Sequence, residues 1–132
     1  MDSRYWIIFE WVGAPMPSNP DHKGWTEIEG VSFESPARPF SSRDTRRCGV
    51  LLGMDHAART LSMLLMVRAN RGDAYRSVAI DIMSSDGKWT RGQFNNVSVL
   101  SGQTTDGGSH FELDYDRVQF KQIVLHRRQQ RR

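Results

Sequence analysis

A single cysteine, Cys48, in 132 residues excludes a disulfide within the chain. Stability then has to come from packing, hydrogen bonding or assembly, which suits a protein that folds in the cytoplasm. Long hydrophobic runs are missing as well. The most apolar stretch, RYWIIFEWV at 4–12, contains Glu10, is nine residues long and has no small-residue cleavage site, so it reads neither as a signal peptide nor as a membrane span. Export would need a route that does not read such a signal. There is no Walker loop, no dinucleotide fingerprint, no zinc spacing and no HExxH. His22, His56 and His126 fall in a loop, at a helix start and at a tail start, none with a serine or cysteine nucleophile in a recognisable motif. No catalytic residue, cofactor or metal is expected, and the chain reads as a non-enzyme.

A strong charge of one sign is also lacking in the body of the chain. The formal charge is +3, from 18 basic and 15 acidic side chains. Removing the tail HRRQQRR at 126–132, with its four arginines, leaves 14 basic against 15 acidic groups. The body is close to neutral and nucleic acid is not the expected partner. The tail reads as a solvated, disordered end, and residues 1–125 as one domain, long enough to bury a real core. A stand-alone barrel that binds nucleic acid or another acidic ligand through these arginines is the alternative reading. Its binding would weaken steeply with salt.

What is present is β-periodicity. Residues 4–12 read as a strand with Tyr5, Ile7, Phe9 and Trp11 on one face and Trp6, Ile8, Glu10 and Val12 on the other. Both faces are mostly apolar, so the strand wants cover on two sides. A proline-rich loop follows at 13–24, then a second strand at 25–34, a long polar loop at 35–45 and a short strand at 46–53. After the helix come a strand at 75–82, a tight turn at SSDG (84–87), a return strand at 88–102, a turn at GQTTDGG (102–108) and a closing strand at 110–126. The apolar phase of that last strand slips near Asp116, from 111, 113, 115 to 118, 120, which predicts a bend. The fold class expected is mainly β: a small antiparallel barrel or sandwich of six or seven strands with one helix, at about 55–71, packed against it.

That helix, in MDHAARTLSMLLMVRANRGD, has Asp55 as N-cap, no capping box because position 58 is Ala58, and Gly72 as its stop. At 100° per residue, Met54, Ala57, Ala58, Leu61, Leu64 and Leu65 form the expected core face. The opposite face carries Arg59, Met63, Met66, Val67 and Asn70, where an isolated domain would show water charged side chains.

Two polar constellations bear on chemistry. His110, Glu112, Asp114 and Asp116 share one strand face at period two, a spacing that could hold a metal, but Phe111, Leu113 and Tyr115 explain it as apolar-in, polar-out alternation. Cys48 follows Arg47, yet neighbouring strand residues point to opposite faces, so a buried structural thiol is the better reading. Trp6, Trp11, Trp25 and Trp89 could stack bases, but they lie among other apolar residues and belong in a core or an interface.

The order of elements resembles the Hcp family, the haemolysin-coregulated tube proteins of type VI secretion. The likeness rests on Glu27, Ile28, Glu29 and Phe33 in the second strand, on Asp55, Leu61, Leu64, Leu65 and Gly72 in the helix, on Phe94 to Leu100, and on Tyr115 and Val118 in the last strand. It spans most of residues 4–125. The resemblance implies a barrel that assembles with itself into hexameric rings, stacked into a tube with an inner wall that contacts cargo, made in the cytoplasm and exported through the secretion apparatus. Its partners would be other copies, secretion components and effector proteins, with no membrane insertion. Interface residues are then expected at Trp6, Ile8, Arg59, Met63, Met66, Val67 and Asn70. The loop from Ser35 to Asp44, with Pro36, Arg38, Pro39, Phe40 and Arg43, is expected to reach an adjacent subunit or ring. Aspartates at Met63 and Met66 should keep the fold and break the ring.

Overall fold

Alternating apolar residues along most of the chain produce strands, and the glycine-capped run between them produces one helix. The computed structural model describes residues 4–9, 22, 24–33, 46–72 and 74–123. In order these are β1 (Arg4–Phe9), β2 (Thr26–Ile28), β3 (Gly30–Phe33), β4 (Arg46–Leu52), α1 (His56–Arg71), β5 (Ala74–Met83), β6 (Trp89–Thr105), β7 (Gly108–Tyr115) and β8 (Arg117–Ile123). The loop residues Pro36, Arg38, Pro39, Phe40 and Arg43, the residues Trp11 and Val12, and the tail at 126–132 lie outside the described residues.

All pairings are antiparallel, in the order β2-β1-β5-β6-β7-β4-β3, with β8 alongside β6. The mainly β architecture with one helix is as the sequence predicts. Among the described residues there are eight strands rather than six or seven, because two expected strands each divide. Residues 25–34 change partner at Glu29: Thr26–Ile28 pair with β1, whereas Gly30–Phe33 pair with β4. The Glu29 N–H donates to the Leu51 carbonyl at 2.8 Å, so one short segment supplies both ends of the sheet and closes it on itself. Barrel closure of this kind leaves no seam at that point.

The second division falls at Asp116, where the apolar phase slips. β7 pairs with β4 and with the far half of β6, and β8 pairs with the near half of β6, from Trp89 to Asn95. Asn96 turns the chain there with φ of 54°. Its side-chain amide donates to Asp116 Oδ2 at 2.8 Å, while the Asp116 N–H donates to the Asn95 carbonyl at 3.0 Å. The 17-residue β6 also runs further than expected, to Thr105, and bulges between Val99 and Ser101.

The barrel interior is filled by Ile7, Val50, Leu52, Val78, Ile80, Phe94, Val97, Phe111 and Leu113, with Cys48 among them. Each such side chain contributes about 1.5–3 kcal/mol on burial. Asp55 caps α1 as its chemistry demands, its carboxylate accepting the Ala58 N–H at 2.8 Å. Gly72 ends the helix in the left-handed region with φ of 76°.

The face that α1 turns inward overlaps the expected one at Ala58, Leu61 and Leu65 and departs from it elsewhere. Ala58, Ser62 and Leu65 are buried and Leu61 and Ala69 partly so, whereas Met54, Ala57 and Leu64 are exposed. Small residues let the helix sit close to the sheet, and Ser62 Oγ donates to Ser109 Oγ at 2.9 Å. A hydrophobicity stripe counts leucine and methionine as core and cannot see that closeness. Met66 wedges down at the helix edge: a side-chain carbon added at Gly102 would come within 2.8 Å of its sulfur.

Candidate interaction surfaces

Three regions outside the apolar core of the barrel carry the polar and exposed apolar residues of interest: two are exposed and one is buried. The first is the outward side of α1. Arg59, Met63, Met66, Val67 and Asn70 are all exposed, as the sequence predicts. Met63 is 72% exposed, Leu64 57% and Val67 51%, a contiguous apolar row rather than scattered single residues. A groove of about 480 Å³ runs between α1 and β1, lined by Ile8, Phe9, Leu61, Leu64, Val67 and Tyr75, with Arg68 and Arg71 also on its walls. Ile8 of β1 and Val67 of α1 therefore share one depression. Arg68 lies over the Tyr75 ring at 4.2 Å and donates to the Ala74 carbonyl, which fixes the end of the helix against β5.

Trp6 does not join that groove. Its neighbour across β5 is Asp81, on the outside of the barrel. There Asp81 is buried together with Arg91 and His22. The Arg91 guanidinium donates from Nε to Asp81 Oδ1 at 2.5 Å and from Nη2 to Oδ2 at 2.6 Å, a forked pair. His22 Nε2 meets Oδ2 at 2.8 Å. Against an ionised carboxylate the ring nitrogen is the donor. Three indoles enclose the imidazole: Trp6 stacks on it at 4.8 Å and 4°, Trp25 meets it edge-on at 5.1 Å, and Trp89 lies 5.0 Å away. Burial by itself would raise the Asp81 pKa, but the hydrogen bonds and charges of Arg91 and His22 outweigh it and hold the carboxyl below the usual range.

This cluster supplies the outer cover that the two-faced first strand requires. Sequence reasoning placed His22 in a loop and passed over Asp81 and Arg91. The signal was available in the SSDG turn: its register sets Met83 opposite Trp89 and therefore Asp81 opposite Arg91.

The third surface is the outer side of β7. His110 Nε2 and Glu112 Oε2 lie 4.0 Å apart, Asp114 faces Arg47 on β4, and Asp116 follows at the bend. Among the described residues no group of three or more His, Cys, Asp or Glu side chains could hold a metal ion. Burial raises the Asp114 pKa, opposed by the Arg47 charge and reinforced by that of Asp116. Cys48 points the other way, into the core. Burial, then the Glu112 charge, pushes its thiol up to about 12.

Among the described residues no helix is long and apolar enough to cross a membrane. No family model matches the chain, and no curated protein matches it by sequence. Comparison of folds is more informative. A type six secretion system protein superposes with a TM-score of 0.62 at 18% identity, covering 90% of this chain and 83% of its own. Hcp1 from Salmonella typhimurium gives 0.64 at 14% identity over 94% and 89%, and the secreted protein Hcp3 from Pseudomonas aeruginosa gives 0.62 at 12% over 93% and 93%. Across nearly its whole length, the chain has the fold of the solved Hcp proteins.

Proposed function

We propose that this protein is a structural component of a type VI secretion apparatus that closes into hexameric rings, stacks them into a tube and carries effector proteins along the inner wall. The observation that carries the reading is the contiguous apolar row of Met63, Leu64 and Val67 on the outside of α1. The barrel core is complete without these side chains, and a row of that kind is stable in water when a second surface covers it. The shared fold supplies the context. The role is non-catalytic: assembly takes place in the cytoplasm and export goes through the apparatus itself. The partners are other copies of this chain, secretion components and effectors. Ring closure requires unlike patches to meet head to tail.

Size exclusion with light scattering on the purified chain tests this, followed by negative-stain imaging of the main peak. A hexameric mass with annular particles is the expected result, and a clean monomer overturns the reading. The matching variant is Met63→Asp with Val67→Asp. Met66 is the poorer choice, since its sulfur sits close over Gly102. The variant should keep the parent's circular dichroism and elute as a monomer, because a carboxylate is cheap on a wet surface and costly in an apolar contact.

A further inference from the structure

A head-to-tail ring leaves one question open, namely which part of the chain receives the apolar face of α1. Charge narrows the choice. α1 carries Arg59, Arg68 and Arg71 and no acidic residue. Two such faces brought together would set these arginines against copies of themselves, so the receiving surface is a different one. It has to offer both exposed apolar side chains and an excess of acid.

Among the described residues, exposed large apolar side chains away from α1 occur in two places. Phe33 and Phe120 form one group, where Phe120 shares β8 with Arg117 and Lys121, the wrong sign for a basic helix. Leu51 and Leu100 form the other, on either side of β7. Leu51 is opposite His110 in the ladder, and Leu100 sits at the β6 bulge beside the Ser101–Glu112 pair. Between them run Glu112 and Asp114, with Asp116 just beyond. Arg47 faces Asp114, His110 Nε2 lies 4.0 Å from Glu112 Oε2 and the Asn96 amide donates to Asp116, which leaves a formal excess of two acidic groups on this face. Elsewhere Glu27 is engaged by Arg4 at 3.0 Å and Asp81 by Arg91.

We infer that α1 of one copy docks on the outer face of β4, β7 and the far half of β6 of the next copy. Met63 and Val67 lie toward Leu51 and Leu100, and the helix arginines toward Glu112 and Asp116. The inference rests on the ring reading above and adds to it the identity of the receiving surface.

Two charge-reversed variants test it: Arg59→Glu with Arg71→Glu, and Glu112→Arg with Asp116→Arg. Like charges across a contact are strongly unfavourable, so each variant alone should associate at least ~10-fold more weakly than the parent in sedimentation velocity. Mixed one to one, they should recover to within about threefold, because each acidic helix now finds a basic strand face and each basic helix an acidic one. Circular dichroism identical to the parent establishes that each variant is folded. If a reversed variant unfolds, Arg59→Gln and Glu112→Gln carry the same test, and the dependence of association on salt should flatten in each. Reversed variants that assemble like the parent, a mixture that stays dissociated, or an unchanged salt slope in the neutral variants overturns the docking inference and leaves the ring standing. A monomeric parent overturns the ring reading, and the docking with it, before any variant is made.

Discussion

His22 and Asp81 stand 59 positions apart in sequence and meet at 2.8 Å on the outside of the barrel, under a lid of indole rings. With the Arg91 fork on the same carboxylate, they form a small polar core separate from the apolar one. Removing one partner strands a buried charge. Asp81→Ala should therefore lower unfolding stability by about 3–5 kcal/mol in urea titration, whereas Asp81→Leu combined with Arg91→Leu should cost clearly less. Equal losses would mean that packing, and not the unpaired arginine, dominates.

The same carboxylate gives the protein an acid limit. The folded pKa of Asp81 lies below its unfolded value, so its contribution is fully present above about pH 4 and is lost as pH falls through the lower folded value. Thermal midpoints measured from pH 6 down to pH 2 should fall in that lower window. Asp81→Asn should remove part of the slope.

Cys48 should be silent while the chain is folded. With its thiol near 12, the thiolate fraction at pH 8 is about a thousandfold below that of an ordinary cysteine. An aromatic disulfide reagent should give no colour with native protein and one equivalent in guanidinium. Rapid labelling of the native form would place the thiol at the surface.

Two local substitutions separate backbone from side-chain constraint. Gly108 has φ of 141°, and an added Cβ would collide with the Leu52 carbonyl oxygen, a backbone atom of the β4–β7 ladder. At Gly102 the obstacles are the Phe111 ring and the Met66 sulfur, and only the second can swing away easily. Gly108→Ala should cost at least about 2 kcal/mol and more than Gly102→Ala in the same urea assay.

Asp55→Ala removes the acceptor for the Ala58 N–H, and a loss of about 1 kcal/mol is expected from the same titration. Asp55→Asn should restore most of it.

The cap of α1 and the SSDG turn were legible because their chemistry is local: a carboxylate three residues from an N–H, and glycines where φ is positive. The phase slip at Asp116 was legible for the same reason. Partner exchange at Glu29 was not, since nothing in TEIEGVSF marks where one ladder ends and another begins, and the outcome depends on β1 and β4 arriving from far apart. The inward face of α1 was legible in part: Ala58, Leu61 and Leu65 do face the barrel, whereas Ser62, which buries through a hydroxyl bond, gives no hydrophobic signal, and Met54, Ala57 and Leu64 are exposed. On the interaction surfaces, the exposed helix residues were foreseen and the His22 cluster was missed. A histidine within a proline-rich loop gives no hint of a carboxylate far along the chain.

The pairing of β1 sets an order on synthesis. Most of its ladder is with β5, from Arg4↔Met83 to Phe9↔Val78, while β2 offers it three pairs. A ribosome adding about 5–20 residues per second makes Tyr5, Trp6, Ile7, Ile8 and Phe9 and then takes roughly 3–14 s to deliver their main partner. During that interval the most apolar strand of the chain is without most of its ladder. Whatever shields that nascent edge, whether dilution or a holding chaperone, decides how much of the protein reaches the barrel.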